Sequence, residues 1–302
     1  MRTKKAISKL LLEYFASERR VIVSKWRIEV VYQNLAIKYD FVLPDASNQA
    51  SLLRSLISNG IISSIDGVSS VYKISVPFAS ILPLPAEGIL QEANPIGFFG
   101  FESAFVYHGL TDKIPSNMYF YLAGKESGRL PHGTKPDDWS DFSLPGNRRP
   151  RKIKNRAVIY TNSKPEWDFG VSVGYVEGVP IFVTDLEKTI VDSFRRPEKC
   201  GGISSLVEAW IRAIDLVNLE TIVEYVNRIG QSLLKQRVGY IFEARGKSHR
   251  VFDHWAETSI RGSSARLIAS GEFSSQYSER WNLSLNIPES MLNRLSEKEP
   301  KS

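Results

Sequence analysis

The order of apolar patterns in the first eighty residues constrains this chain more than any other feature. Ile7, Leu10, Leu11, Tyr14 and Phe15 recur at i, i+3, i+4, i+7 and i+8, the stripe of one amphipathic helix. A short β-branched run, Val21-Ile22-Val23, leads to Ser24, which can cap a second helix through Trp26, Ile28, Val30, Val31 and Leu35. Pro44 ends any continuation. Ser47 is predicted to cap a third helix with Leu52, Leu53, Leu56 and Ile57 inward, and Gly60 stops it. Ile61-Ile62, a turn at Asp66-Gly67 and Val71-Tyr72-Lys73-Ile74 then read as a β-hairpin.

Three helices followed by a hairpin is the order of a winged helix-turn-helix. Its third helix has the width of the major groove, and its hairpin lies near the flanking backbone. Asn48, Gln49 and Arg54 carry side chains that read base edges, and Ser51 and Ser55 can donate to phosphate. Lys4, Lys5, Lys25, Arg27 and Lys73 complete the candidate DNA-binding set. The charge agrees: 39 Lys and Arg stand against 33 Asp and Glu, a formal +6. The first 60 residues hold ten of the bases and five of the acids. A second cluster, Arg148, Arg149, Arg151, Lys152, Lys154 and Arg156, contains no acid. Either cluster is also what an ordinary solvated surface looks like, and winged helices bind protein as well as DNA.

Pro77, Pro83 and Pro85 mark a boundary, giving a winged helix over 1–78 and a larger mixed α/β domain over 79–302. The fold class expected is therefore α+β. In the second part, Glu102 to Leu110 reads as a helix stopped by Gly109. Met118 to Leu122, Ala157 to Tyr160 and Val179 to Val183 read as strands, and 124–150 as an exposed loop. Thr184 to Glu187 has capping-box spacing before a helix that halts near Arg196-Pro197. Ile203 to Ile214 forms another helix, and Leu219 onward one more that could continue through Leu233-Leu234. Val238 to Phe242 is too short to assign.

The stretch Val183-Thr184-Asp185-Leu186-Glu187-Lys188-Thr189-Ile190-Val191-Asp192, followed by Arg196-Pro197 and Gly201-Gly202, resembles the C-terminal signature of AbiEi-family antitoxins. Ser103-Ala104 with His108-Gly109-Leu110-Thr111 and Pro115 is similar to that family's preceding helix and turn, and Arg237-Val238-Gly239-Tyr240 to a later segment. The N-terminal winged helix fits as well. The resemblance implies an antitoxin of a type IV toxin–antitoxin system, acting against a nucleotidyltransferase-like toxin. Its N-terminal domain would repress the shared operon by binding operator DNA, and its C-terminal domain would counteract the toxin. Asp185, Glu187, Lys188, Asp192 and Arg196 are then the candidate antitoxin residues, as an interaction surface.

The same residues admit other chemistry. Asp185, Glu187 and Asp192 could serve a carboxylate-dependent nuclease with Lys188 stabilising charge. Helix spacing argues instead for a Lys188–Asp192 ion pair and a structural cap. His249, Asp253 and His254 miss the one-turn spacing of a helical metal set. Cys200, the lone cysteine, excludes an internal disulfide and has no nameable base. No phosphate-binding GxxxxGK[ST] or dinucleotide GxGxxG motif occurs. The expectation is a non-enzymatic, cytoplasmic protein with no cofactor, no metal and no membrane partner. Its N-terminus, broken by Ser8, Lys9 and Glu13, lacks a signal-peptide core.

Overall fold

Three helices and a three-stranded antiparallel sheet open the chain, as the apolar spacing predicts. The computed structural model describes residues 2–41, 45–259 and 264–297. Helix α1 (Arg2–Ser17) buries Ile7, Leu11 and Phe15. Strand β1 (Ile22–Ser24) leads directly into α2 (Lys25–Lys38), whose N-cap is Ser24; its hydroxyl accepts from the Arg27 N–H. Helix α3 (Ala46–Ser58) starts slightly earlier than expected. Asp45, not Ser47, is the cap, because its longer-reaching carboxylate accepts from the Asn48 N–H at 2.7 Å. Leu52 and Leu56 are buried, whereas Ile57 is 41% exposed and belongs to the outer face. Pro44 lies outside the described residues. Strands β2 (Ile62–Ile65) and β3 (Val68–Ile74) form the hairpin, with Gly67 at φ +73° in its turn. The sheet order β1-β3-β2 is antiparallel throughout, so the order α1-β1-α2-α3-β2-β3 is that of a winged helix-turn-helix.

The remaining elements make the fold mixed α+β, as expected. They run α4 (Pro77–Ser80), α5 (Ala86–Ala93), β4 (Phe98–Phe99), α6 (Phe101–Tyr107), β5 (Asn117–Leu122), β6 (Lys152–Ile153), β7 (Arg156–Asn162), β8 (Val171–Val176) and β9 (Val179–Thr184). Then follow α7 (Leu186–Arg195), α8 (Ile203–Ala213), α9 (Leu219–Ile229), α10 (Ser232–Ala244), α11 (Val251–Ser259), β10 (Ala265–Arg266), β11 (Tyr277–Ser278), β12 (Leu283–Ser284) and α12 (Glu289–Ser296). Gly230, in the left-handed region at φ +73°, separates α9 from α10, so no helix runs on from Leu219 to Leu234. Val238 to Phe242, too short to assign from sequence, lies within α10 and supplies much of its buried face.

The chain divides into two units, and neither is one continuous stretch. The first comprises residues 1–98, 122–162 and 173–182; the second comprises 99–121, 163–172 and 183–302. The winged helix, the proline-rich segment after it and α5 all belong to the first unit. In the second unit, β4 and β9 pair in parallel at Phe99 and Val183, and β10, β12 and β11 form a small separate sheet. Among the described residues, no helix is long and apolar enough to cross a membrane.

Candidate nucleic-acid interface

Helix α3 carries all three candidate base-reading residues, Asn48, Gln49 and Arg54. Arg54 is exposed, its Nε donating to the Ala50 carbonyl one turn back. Asn48, Ser51 and Ser55 are half-buried, and the Ser55 hydroxyl accepts from Asn59. Gln49, also half-buried, lines a small hollow with Lys25, Ile28, Glu29, Tyr32, Leu52 and Leu53. Lys25 is exposed on the first turn of α2, 3.6 Å from Glu29. Lys73 stands half-buried on the wing strand opposite Ser63. The side chains of Lys4 and Lys5 lie outside the described residues.

Arg27 is not part of that surface. It is 4% exposed, and its guanidinium grips Glu92 of α5 with two charge-assisted bonds, Nε to Oε1 at 2.7 Å and Nη2 to Oε2 at 2.8 Å. Its third donor reaches the His132 carbonyl at 3.1 Å. Glu92 Oε1 also accepts from the Ser24 N–H and hydroxyl, and the Trp26 indole donates to the Glu92 carbonyl. Burial opposes the charge on Glu92, but the Coulomb pull and hydrogen bonds of Arg27, with Arg20 and Ser24, outweigh it and hold the carboxyl below its usual range. The cation read from sequence as a DNA contact is thus an internal fastener of α2.

The acid-free cluster at 148–156 finds a place beside the wing. Strands β6 and β7 form a hairpin whose turn residues, Lys154 and Asn155, both have left-handed backbones (φ +46° and +67°), as a two-residue type I′ connection requires. Lys152, Lys154 and Asn155 line one hollow together with Ile65, Asp66 and Gly67 of the wing turn. Arg148 donates to the Ser69 hydroxyl on β3 at 3.1 Å and through its backbone N–H to Asn94. Arg148, Arg149, Arg151, Lys152 and Lys154 are exposed; Lys154 also bonds the Leu84 carbonyl, and Arg156 pairs with Glu87. The charge run is visible in the sequence. Its position against a hairpin far upstream in the chain is not, because nothing local encodes that pairing.

The second unit holds the other candidate block. Asp185 is the N-cap of α7: Oδ1 accepts from the Lys188 N–H at 2.7 Å, and Oδ2 accepts from the Tyr225 hydroxyl at 2.8 Å. The capping box expected from Thr184 does not form. Thr184 instead shares a hydroxyl contact with Thr189 at 2.7 Å, and Glu187 accepts from the Asn218 N–H at the start of α9. Lys188 and Asp192 are an i, i+4 pair at 2.5 Å, as the spacing predicts, but at 1% and 0% exposure they are core residues and cannot form a contact surface. Asp192 also accepts from Arg195 at 2.6 Å and from the Tyr121 hydroxyl at 2.9 Å. Of the five candidate antitoxin residues only Arg196 is exposed, 3.7 Å from Glu198.

His108 caps the end of α6, but its Nε2 reaches the Thr184 carbonyl at 2.7 Å and not the carbonyls of its own helix. His249 meets Glu220, Asp253 meets Arg280, and among the described residues no group of three His, Cys, Asp or Glu side chains is placed to hold a metal ion. Cys200 is wholly buried, and burial followed by the nearby Asp192 charge pushes its thiol well above the usual range. A thiol so placed is inert. The native protein at pH 8 is expected to leave an aromatic disulfide reagent unconsumed over the time that denatured protein consumes one equivalent; prompt reaction of the folded chain would contradict this environment.

Compared with known proteins, the chain is matched by no family model and by no curated protein. Among solved structures it is similar to the crystal structure of the RV2827C protein from Mycobacterium tuberculosis, at 14% identity and a TM-score of 0.52. The match covers 96% of this chain and 94% of that one. At that identity the likeness concerns the fold alone.

Proposed function

We propose that the chain binds double-stranded DNA through its winged helix and represses transcription from its own promoter. The observation that carries this reading is the exposed cationic hairpin beside the wing, on the same unit as α3. A wing runs along phosphates, so cations Arg149, Arg151 and Lys152 there extend a non-specific electrostatic contact while α3 reads bases. The resemblance of the Val183–Gly202 block to AbiEi-family antitoxins supports the further reading that the repressor is also the antitoxin of a nucleotidyltransferase-like toxin. On that reading the accessible residues are Arg196 and the half-buried Asp185 and Glu187.

The test is a mobility shift of the region upstream of the gene, repeated across salt concentrations. Arg54→Ala is expected to weaken operator binding by about 1–3 kcal/mol and to relax specificity at one base position. Replacing Arg149, Arg151 and Lys152 together by alanine is expected to weaken operator and random DNA alike. It should also reduce the salt slope by roughly one for each phosphate that is no longer neutralised. No retardation of the upstream region at low salt would overturn DNA binding, and an unchanged slope in the triple variant would remove the second hairpin from the interface.

A further inference from the structure

A cavity of about 240 Å³ lies within the first unit, bounded by the turn before β1, by α2, by α5 and by the β8–β9 hairpin. It is far larger than the roughly 10–15 Å³ that one water needs. Its polar groups are not matched to one another. Arg27 and Glu92 satisfy each other in the bidentate pair described above. The Nε of Arg20 and the Nδ1 of His132, by contrast, are buried with no hydrogen-bond partner among the described residues. A buried donor left in this condition is costly, and such groups mark places where something else supplies the acceptor.

The electrostatics select the sign of that partner. Three arginines, Arg19, Arg20 and Arg27, line the cavity against two carboxylates, the exposed Glu18 and the buried Glu92, and Glu92 is already committed to Arg27. Burial first, and then the Arg20 and Arg27 charges, push the His132 imidazole below its ordinary pKa, so at neutral pH it is uncharged and can present an N–H from Nδ1. The loop bearing His132 is fixed by the bond from Arg27 to its carbonyl, which preorganises the ring. The rest of the lining is mixed: Val21, Val179 and Pro180 supply apolar surface, and Gln91 and Tyr175 stand among them. Two unpartnered buried nitrogens in a lining where arginines outnumber carboxylates, next to the apolar Val179 and Pro180, fit a small molecule with an oxyanion head and a carbon body.

We propose that this cavity binds a small organic oxyanion, a carboxylate or phosphate monoester, with Arg20 and His132 donating to its oxygens and the Val179–Pro180 wall covering its carbon body. The site is independent of the DNA-binding reading and would stand if that reading failed. The test is calorimetric titration of the full chain with benzoate, phenyl phosphate and inorganic phosphate, alongside thermal melts. Benzoate or phenyl phosphate is expected to bind at one site per chain and to raise the melting temperature by several degrees near saturation. Whichever binds better identifies the head group. Inorganic phosphate should bind at least tenfold more weakly, having no body for the apolar wall. Arg20→Gln should weaken the better probe at least tenfold. His132→Leu, which keeps the volume and removes both ring nitrogens, should do the same and carries the test should Arg20→Gln fail to fold. Absence of heat and of any melting shift with both organic probes, up to the order of 10 mM where a site of this size should respond, would overturn the proposal. So would unchanged affinity in a folded variant.

Discussion

Asp192→Ala is expected to destabilise the protein by about 3–5 kcal/mol, because it leaves a buried lysine without its counter-charge. Lys188 is 1% exposed and its ammonium has Asp192 as its partner at 2.5 Å; Arg195 and the Tyr121 hydroxyl lose the same acceptor. Burial alone would raise the Asp192 carboxyl, but the charges and hydrogen bonds of Lys188 and Arg195 outweigh it and hold the group below its usual range. The sign for pH follows. A carboxyl lowered in the folded state contributes stability that is fully present above its unfolded value of about 4, and that is lost as pH falls through the lower folded value. Urea unfolding at pH 7 is expected to show a large drop in midpoint with little change in slope, and the difference between wild type and variant should shrink below about pH 4. The double replacement Lys188→Met with Asp192→Leu should recover only the part of the loss that the unpaired lysine causes, since Arg195 and the Tyr121 hydroxyl still lack their acceptor. A variant that unfolds at the wild-type midpoint would mean the cluster is solvated.

That result bears on how the antitoxin-like block is to be tested. An Asp192 variant that fails to protect cells from a toxin would have failed by unfolding, and so says nothing about contact. Arg196→Ala is the informative substitution, because Arg196 is exposed with a 3.7 Å approach to Glu198, and an exposed pair of that kind contributes little to stability.

Much of the first unit is legible in residue order. The helical stripe of Ile7, Leu11 and Phe15, the Ser24 cap and the Asp66-Gly67 turn are local signals, and each stands where its spacing puts it. Helix starts differ by one or two residues where two caps compete. Asp45 and Ser47 both suit an N-cap, and so do Thr184 and Asp185; in both cases the aspartate takes the role because a carboxylate is the stronger acceptor at the positive end of a helix. The site is less legible than the fold. Whether a cation such as Arg27 or Arg149 faces water depends on what folds over it, and that is decided by residues far away in the chain. Arg27 meets Glu92 across 65 residues and Lys188 meets Asp192 across four, so only the second pair can be anticipated. The proline-rich segment has the composition of a linker, yet its residues, and α5 beyond them, belong to the same unit as the winged helix.

The same geometry predicts that the winged helix does not stand alone. Glu92 lies beyond residue 78, yet it neutralises Arg27, accepts from Ser24 twice and holds the Trp26 indole through its carbonyl. In the intact chain, Glu92→Ala is expected to destabilise by about 3–5 kcal/mol, since Arg27 would remain 4% exposed with one carbonyl as the acceptor for its guanidinium. Ser24 would keep its cap on the Arg27 N–H but lose the acceptor that orients its hydroxyl, so the start of α2 should fray first and show faster amide exchange than α3. Operator binding measured at 25 °C should weaken in step with the fraction unfolded, although Glu92 touches no DNA. Replacing the pair together, Arg27→Met with Glu92→Met, should restore part of both melting temperature and DNA binding, the buried Ser24 N–H and hydroxyl still lacking their acceptor. A fragment of residues 1–78 removes Glu92 altogether and uncovers the face of β1 that meets α5, where Ile22 lies beside Gly88 and is 4% exposed in the intact chain. It is expected to melt at least ~10 °C below the full chain, given a deficit of several kcal/mol in a small domain. If that fragment instead melts with the full chain and shifts operator DNA with equal affinity, then Glu92 is not what holds Arg27 and α2 in place.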